Sequence, residues 1–158
     1  MILIIGGNMN KDLVSYLIKH KLIDEYGIII DWILDDNKFD NLYWNQRKTI
    51  KFTNQFKKYC NIHSIDYKNN VKNIIDNDTI HIYIIDKQNI KDVIRHIRNA
   101  IAHKKVIINK NKNKYYLKII SSSRNKIMSN MYIDLELLKY LYNTYKSLKK
   151  EVNEVVYS

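Results

Sequence analysis

The segment RNAIAH, Arg98 to His103, gathers three side chains that suit phosphodiester chemistry. An imidazole can take or give a proton near neutral pH, so His103 is a candidate for proton transfer. The guanidinium of Arg98 stays charged and can hold a phosphate through paired hydrogen bonds. Asn99 adds an amide with donor and acceptor atoms. In RNA the 2′-hydroxyl beside each phosphate is a built-in nucleophile, so positioning, proton transfer and charge stabilisation could break the chain without a metal ion or other cofactor. Arg95 and His96 stand one turn earlier, and Lys104 and Lys105 follow directly, so these four are the candidates for wider substrate binding.

Those side chains need a rigid element beneath them. Ile90, Ile94, Ile97 and Ile101 recur at intervals of four, three and four residues, the period that lines one side of a helix. A helix is expected from Lys87 onward, with Asp86 as its N-cap. With the isoleucines turned inward, Arg95, His96, Asn99 and His103 fall broadly on the opposite side, and Arg98 lies at the border. His103 also has a purely structural reading, because a helix C-terminus favours a cation, and Lys104 and Lys105 fit that reading equally.

The rest of the chain reads as further helices and one hairpin. Asn10 to Lys21 carries Leu13, Val14, Leu17 and Ile18 at helical spacing, and Arg47 to Cys60 sets Phe52, Phe56 and Tyr59 on one side. Ile28 to Leu34 is ambiguous between helix and strand. Ser64 could cap a helix bearing Tyr67, Val71, Ile74 and Ile75, and Ile80 to Ile85 alternates like a short strand. VIINKNKNKYYLKII reads as a hairpin from about Val106 to Ile120, with SSSRNK after it as a loop. Asp134 then caps a last helix, whose stripe of Leu138, Leu141, Tyr145, Leu148 and Val152 is opposed by Lys139, Lys146 and Lys150.

The Arg98, Asn99 and His103 pattern resembles the motif of the HEPN superfamily (higher eukaryotes and prokaryotes nucleotide-binding). In that motif an arginine, usually followed by a polar residue, precedes a histidine by four to six intervening positions. IRHIRNAIAHKK followed by a hairpin and an amphipathic helix is similar to the plasmid- and defence-associated branch with RNAxAH. The resemblance covers about Ile90 to Leu148. It implies a mainly α fold, a HEPN-like bundle of four to five helices with a β-hairpin inserted between the motif helix and the C-terminal helix. By the same resemblance Arg98 would engage the scissile phosphate, Asn99 would orient the site, and His103 would transfer a proton. The activity implied is that of a metal-independent endoribonuclease acting from a composite cleft in a homodimer, as a prokaryotic toxin or anti-phage effector. Its partners would be RNA and, in such a system, an antitoxin or defence protein. A HEPN-type module that binds RNA or protein without cutting is the alternative. Members paired with a nucleotidyltransferase often carry a tyrosine two positions after the histidine, whereas Lys105 stands there in this chain, so regulation through that tyrosine is not expected.

Composition agrees with a polyanionic partner. The chain has 158 residues, enough for a single domain across 1–158, and carries 27 Lys+Arg against 16 Asp+Glu, for a net charge of +11. Its crowding with Ile, Lys, Asn and Tyr, and its lack of proline, would also follow from an A- and T-rich genome. Cys60 is the only cysteine, which excludes an internal disulfide and a multi-cysteine zinc site. MILIIGG lacks a basic leader, and no apolar run approaches the roughly 18 residues of a membrane span, so a cytoplasmic protein is expected. Gly6 and Gly7 form no GxGxxG, and His20, His63 and His81 show no metal-ligand spacing. Lys110, Lys112 and Lys114 with Tyr115 and Tyr116 could grip and stack a single strand, though solvated turn lysines and packed strand tyrosines explain them better.

Overall fold

Side-chain caps fix where three of the helices begin. Asn45 accepts a hydrogen bond from the Lys48 amide at 2.9 Å, Asn89 from the Asp92 amide at 3.0 Å, and Asp134 from the Leu137 amide at 2.9 Å. In the computed structural model, which describes residues 11–71, 79–85 and 89–152, the elements run as follows. Helices α1 (Lys11–Lys19), α2 (Ile23–Leu34) and α3 (Gln46–Ile62) lead into strands β1 (Asp66–Lys68) and β2 (His81–Ile84). Helix α4 (Ile90–Ala102) follows, then strands β3 (Val106–Asn111), β4 (Lys114–Ser123) and β5 (Lys126–Asp134), and helix α5 (Leu135–Lys150). Among the described residues, no helix is long and apolar enough to cross a membrane.

The strands form one five-stranded mixed sheet in the order β1-β2-β5-β4-β3, with β1 parallel to β2 and every other pair antiparallel. Five helices with such a sheet make an α/β fold, not the mainly α HEPN-like bundle with one inserted hairpin that the resemblance implies. Two local features cause the difference. The segment read as the SSSRNK loop is the end of β4, a two-residue turn and the start of β5. Arg124 and Asn125 in that turn both have positive φ, 51° and 63°, the conformation that matches the twist of paired strands. Ser64 does not cap a helix; it takes φ 55° to end α3, and the chain then enters β1. Ile74 and Ile75 of the helix expected there lie outside the described residues, as do Asp86 and Lys87. Within the described residues the motif helix is capped by Asn89.

Register puts Ile82, Met131 and Ile119 in one row and Ile133 beside Leu117, all fully buried on the sheet face that joins the helices in one core. The ambiguous segment after Ile28 is helical. Its apolar residues, interrupted only by the exposed Asp31, serve a helix buried over much of its surface, including Tyr26, Ile29, Ile30, Trp32 and Ile33. Val152, expected on the last helical stripe, lies beyond α5 and is 91% exposed.

The loop from Asp35 to Asn45 is anchored by Trp44 and Phe39, which pack on Tyr145, and by two lysines that reach helix ends. Lys38 is buried, and its ammonium donates to the carbonyls of Ile33 at 3.0 Å and Asp35 at 2.8 Å, satisfying the C-terminal end of α2. Lys48 does the same for the far end of α5, donating to the Glu151 carbonyl at 2.9 Å. Burial pushes the Lys38 ammonium down to about 8, against the upward pull of Asp35 and Asp36, with Arg98 adding to the downward push. Between pH 8 and 10 the unfolded chain therefore keeps a proton that the folded chain has lost, so this group makes stability rise with pH across that window. Urea midpoints of wild type relative to Lys38→Met should increase from pH 8 to pH 10; a flat or falling difference would contradict the buried ammonium. Comparing the two proteins removes the opposite effect of tyrosines such as the half-buried Tyr83, whose hydroxyl is pushed up to about 12 by partial burial and by its bond to Asp66.

Candidate functional site

Helix α4 turns its isoleucines fully inward: Ile90, Ile97 and Ile101 have no exposed surface and Ile94 only 1%. At about 100° per residue, this rotation puts Arg98 on one flank of the exposed strip and His96 and His103 on the other, with Arg95 and Asn99 between them. Two hollows follow from that divergence.

One is a cleft of about 590 Å³ between the flank of α4 and the far end of the β4–β5 hairpin. Arg95, His96, Asn99, His103 and Lys105 line the helix side, and Ser121, Ser122, Ser123 and Met128 line the sheet side. The register of β4 against β5 slips between Ser121 and Ser122, where Met128 is the extra residue of a bulge in β5 while Ser121, Ser122 and Ser123 stay paired with Ser129, Ile127 and Lys126. Ser121 is hydrogen-bonded through its hydroxyl to that of the buried Ser129. The other hollow, about 300 Å³, lies on the opposite flank beside Asp36, Phe39 and Lys91, and Arg95 and Asn99 line it too.

The cleft thus unites five of the seven residues expected from the sequence. His96 is among them but is not on an open face: it is buried, at 3% exposure, because α4 is covered around more than the isoleucine side, as Val93 and Ala100 also show. Arg98 is absent from the cleft. Its Nη2 donates to Asp36 Oδ2 at 3.1 Å, and its Nε lies 2.9 Å from Asp36 Oδ1 without aiming its N–H at that oxygen. The third nitrogen, Nη1, donates to Asn99 Oδ1 at 3.3 Å. Arg98 and His103 are five residues apart, roughly 140° around the axis, so a single helix cannot point both at one phosphate.

Lys104 is also outside the cleft. It takes φ 58° at the end of α4, where its amide bonds to the Ile101 carbonyl at 3.3 Å and the Lys105 amide bonds to the Ala100 carbonyl at 2.8 Å. That pair of bonds is the Schellman ending of a helix, normally built on glycine. The same ending occurs at Lys21 after α1 and at Ser64 after α3, each time directly after a histidine, His20 and His63. Those two histidines lay their rings on a tyrosine one turn earlier, Tyr16 at 4.1 Å and Tyr59 at 4.2 Å. At His103 the residue one turn earlier is Asn99, and both line the cleft, with His103 exposed. His81 is held in the sheet, with one ring nitrogen 2.8 Å from the Thr79 carbonyl and the other 3.0 Å from Asn130 Oδ1.

Sequence reasoning missed the serines, Met128 and Asp36. The available signal for the serines was the Arg124–Asn125 pair, equivalent to the Lys112–Asn113 pair that turns β3 into β4 with φ values of 50° and 67°. Among the described residues no group of His, Cys, Asp or Glu gathers that could hold a metal ion. The cleft can offer cations, amide and hydroxyl hydrogen bonds and two imidazoles to an anionic ligand. No family model, curated protein or solved structure matches the chain.

Lysine in the left-handed region costs about 1 kcal/mol relative to glycine, so Lys104→Gly should raise the unfolding free energy by up to about that amount. Urea denaturation measures it.

Proposed function

We propose that the protein is a metal-independent endoribonuclease that cuts single-stranded RNA in the cleft between α4 and the β4–β5 hairpin. The observation that carries the proposal is the convergence of His96, His103, Arg95, Asn99 and Lys105 on one polar cleft. The resemblance of the RNAIAH segment to the HEPN motif supplies the reaction class; the helical-bundle fold implied with it is not part of the proposal.

In the proposed reaction the 2′-oxygen attacks the adjacent phosphorus and the bond from phosphorus to the 5′-oxygen breaks. His103, at the open side, takes the proton of the 2′-hydroxyl, and His96 gives a proton to the departing 5′-oxygen. Arg95 and Lys105 stabilise the charge that builds on the non-bridging oxygens. The products are a 2′,3′-cyclic phosphate and a 5′-hydroxyl. Arg98, expected from the resemblance to engage the phosphate, instead faces Asp36 and supports the site from behind. A homodimer belongs to the same proposal, with a second copy closing the open side of the cleft, as does a cytoplasmic role as a toxin or anti-phage effector with an antitoxin or defence partner.

A non-catalytic RNA-binding module is the second reading. It is favoured by the pairing of Arg98 with Asp36 outside the cleft and by the position His103 shares with His20 and His63 at helix ends. One experiment separates the two. Purified protein is incubated with RNA in EDTA, and new ends are identified chemically. The nuclease proposal expects cyclic-phosphate ends, with His103→Ala lowering the rate by about 10²- to 10⁴-fold at unchanged thermal stability. Salt-sensitive binding with no product would favour the module, and cutting that survives both His96→Ala and His103→Ala would remove the site assignment.

A further inference from the structure

We infer that Asp36 is a positioning residue for the cleft, acting through Arg98 to fix which way the amide of Asn99 faces. The inference rests on the cleft being the RNA site proposed above. Asp36 lies in the loop between α2 and α3 and is 62 residues from Arg98 in the chain. That loop is set firmly: the buried Lys38 ammonium holds the Ile33 and Asp35 carbonyls, and the Asn37 amide donates to Asp35 Oδ1 at 2.9 Å.

The relay has two steps. Asp36 accepts a hydrogen bond from Nη2 of Arg98 at 3.1 Å and lies 2.9 Å from Nε as an ion pair, which orients the planar guanidinium and leaves Nη1 directed at Asn99, 3.3 Å from Oδ1. A guanidinium carries donors and no acceptor, so the atom of Asn99 that meets it is the carbonyl oxygen and not the amide nitrogen. The NH2 group of Asn99 is therefore turned away from Arg98, on a side chain that also lines the cleft with His96 and His103. An amide that presents its donors can hold a phosphate oxygen, whereas one that presents its carbonyl repels it. Arg98 serves the cleft without entering it, and a lysine in its place could not span both partners with one ammonium. The ion pair faces solvent on the Asp36 side and adds little to stability, so loss of the relay should not unfold the protein.

The test is a double-mutant cycle on the full chain, read by binding of a 2′-O-methyl oligonucleotide that cannot be cut and by kcat/KM on the matching RNA. Asp36→Asn and Arg98→Lys are each expected to lower kcat/KM about tenfold and to weaken binding in the same direction, with Asp36→Glu restoring most of both. Added to Asn99→Ala, Asp36→Asn should cause no further loss, because both changes act through one amide. The side-chain amide resonance of Asn99 in nitrogen-15 spectra of the free protein should shift in Asp36→Asn. Additive losses in the cycle, or an Asn99 resonance that does not move, would overturn the relay while leaving a nuclease proposal intact. A wild type that binds the uncut oligonucleotide but cleaves nothing sinks the nuclease proposal, and the binding arm of the cycle then decides the relay. A wild type that neither binds nor cuts overturns both.

Discussion

The rotation of α4 about its own axis is the constraint on which every feature of the site depends. Ile90, Ile94, Ile97 and Ile101 are all essentially fully buried, and each contributes about 1.5 to 3 kcal/mol by leaving water. The ion pair between Arg98 and Asp36, with side-chain exposures of 29% and 67%, is worth at most about 1 kcal/mol. The apolar stripe therefore decides the rotation, and the polar groups take the partners that this rotation leaves within reach. Arg98 meets the loop after α2, while His96 and His103 meet the hairpin.

The second wall of the cleft depends on turn chemistry. A two-residue turn with positive φ at both positions favours asparagine, and both hairpins have one, at Asn113 and Asn125. The second turn extends β4 and β5 beyond the core and carries Ser121 to Ser123 to the side of α4. Had the chain been irregular there, as a serine-rich stretch suggests, the helix would face solvent and no cleft would enclose its histidines.

What could be read in advance follows from the range of each interaction. Periodicity reports burial on one side, so α1, α3, α4 and α5 were legible from their stripes, and the first hairpin from β-prone runs around its turn. Strand β5 was not, because it is central: Ser129, Asn130, Met131, Tyr132 and Ile133 are all buried, and alternation is lost when both faces are covered. The omission of β5, with the misread ending of α3, turned a mixed sheet into an expected helical bundle. Burial of His96 was hidden for a related reason, since the isoleucine stripe reveals one covered face and not a second. Asp36 could not be found at all by spacing; its partner is brought to it by the packing of α2 on α4.

The direction of α4 has a consequence for any anion in the cleft. A helix C-terminus presents carbonyl oxygens and a partial negative charge, so a phosphate beyond the last turn is opposed by the backbone. Closing bonds from Lys104 and Lys105 to Ile101 and Ala100 satisfy two of those carbonyls, and the lysine charges offset the dipole, Lys105 from the edge of the cleft that it lines. A phosphate is better placed along the flank, where Arg95, His96 and Asn99 rise toward the serines, one to two turns before the end. His20 and His63 end their helices in the same way but rest on tyrosines, so what separates His103 from them is the residue one turn earlier and the wall across from it, not the histidine itself.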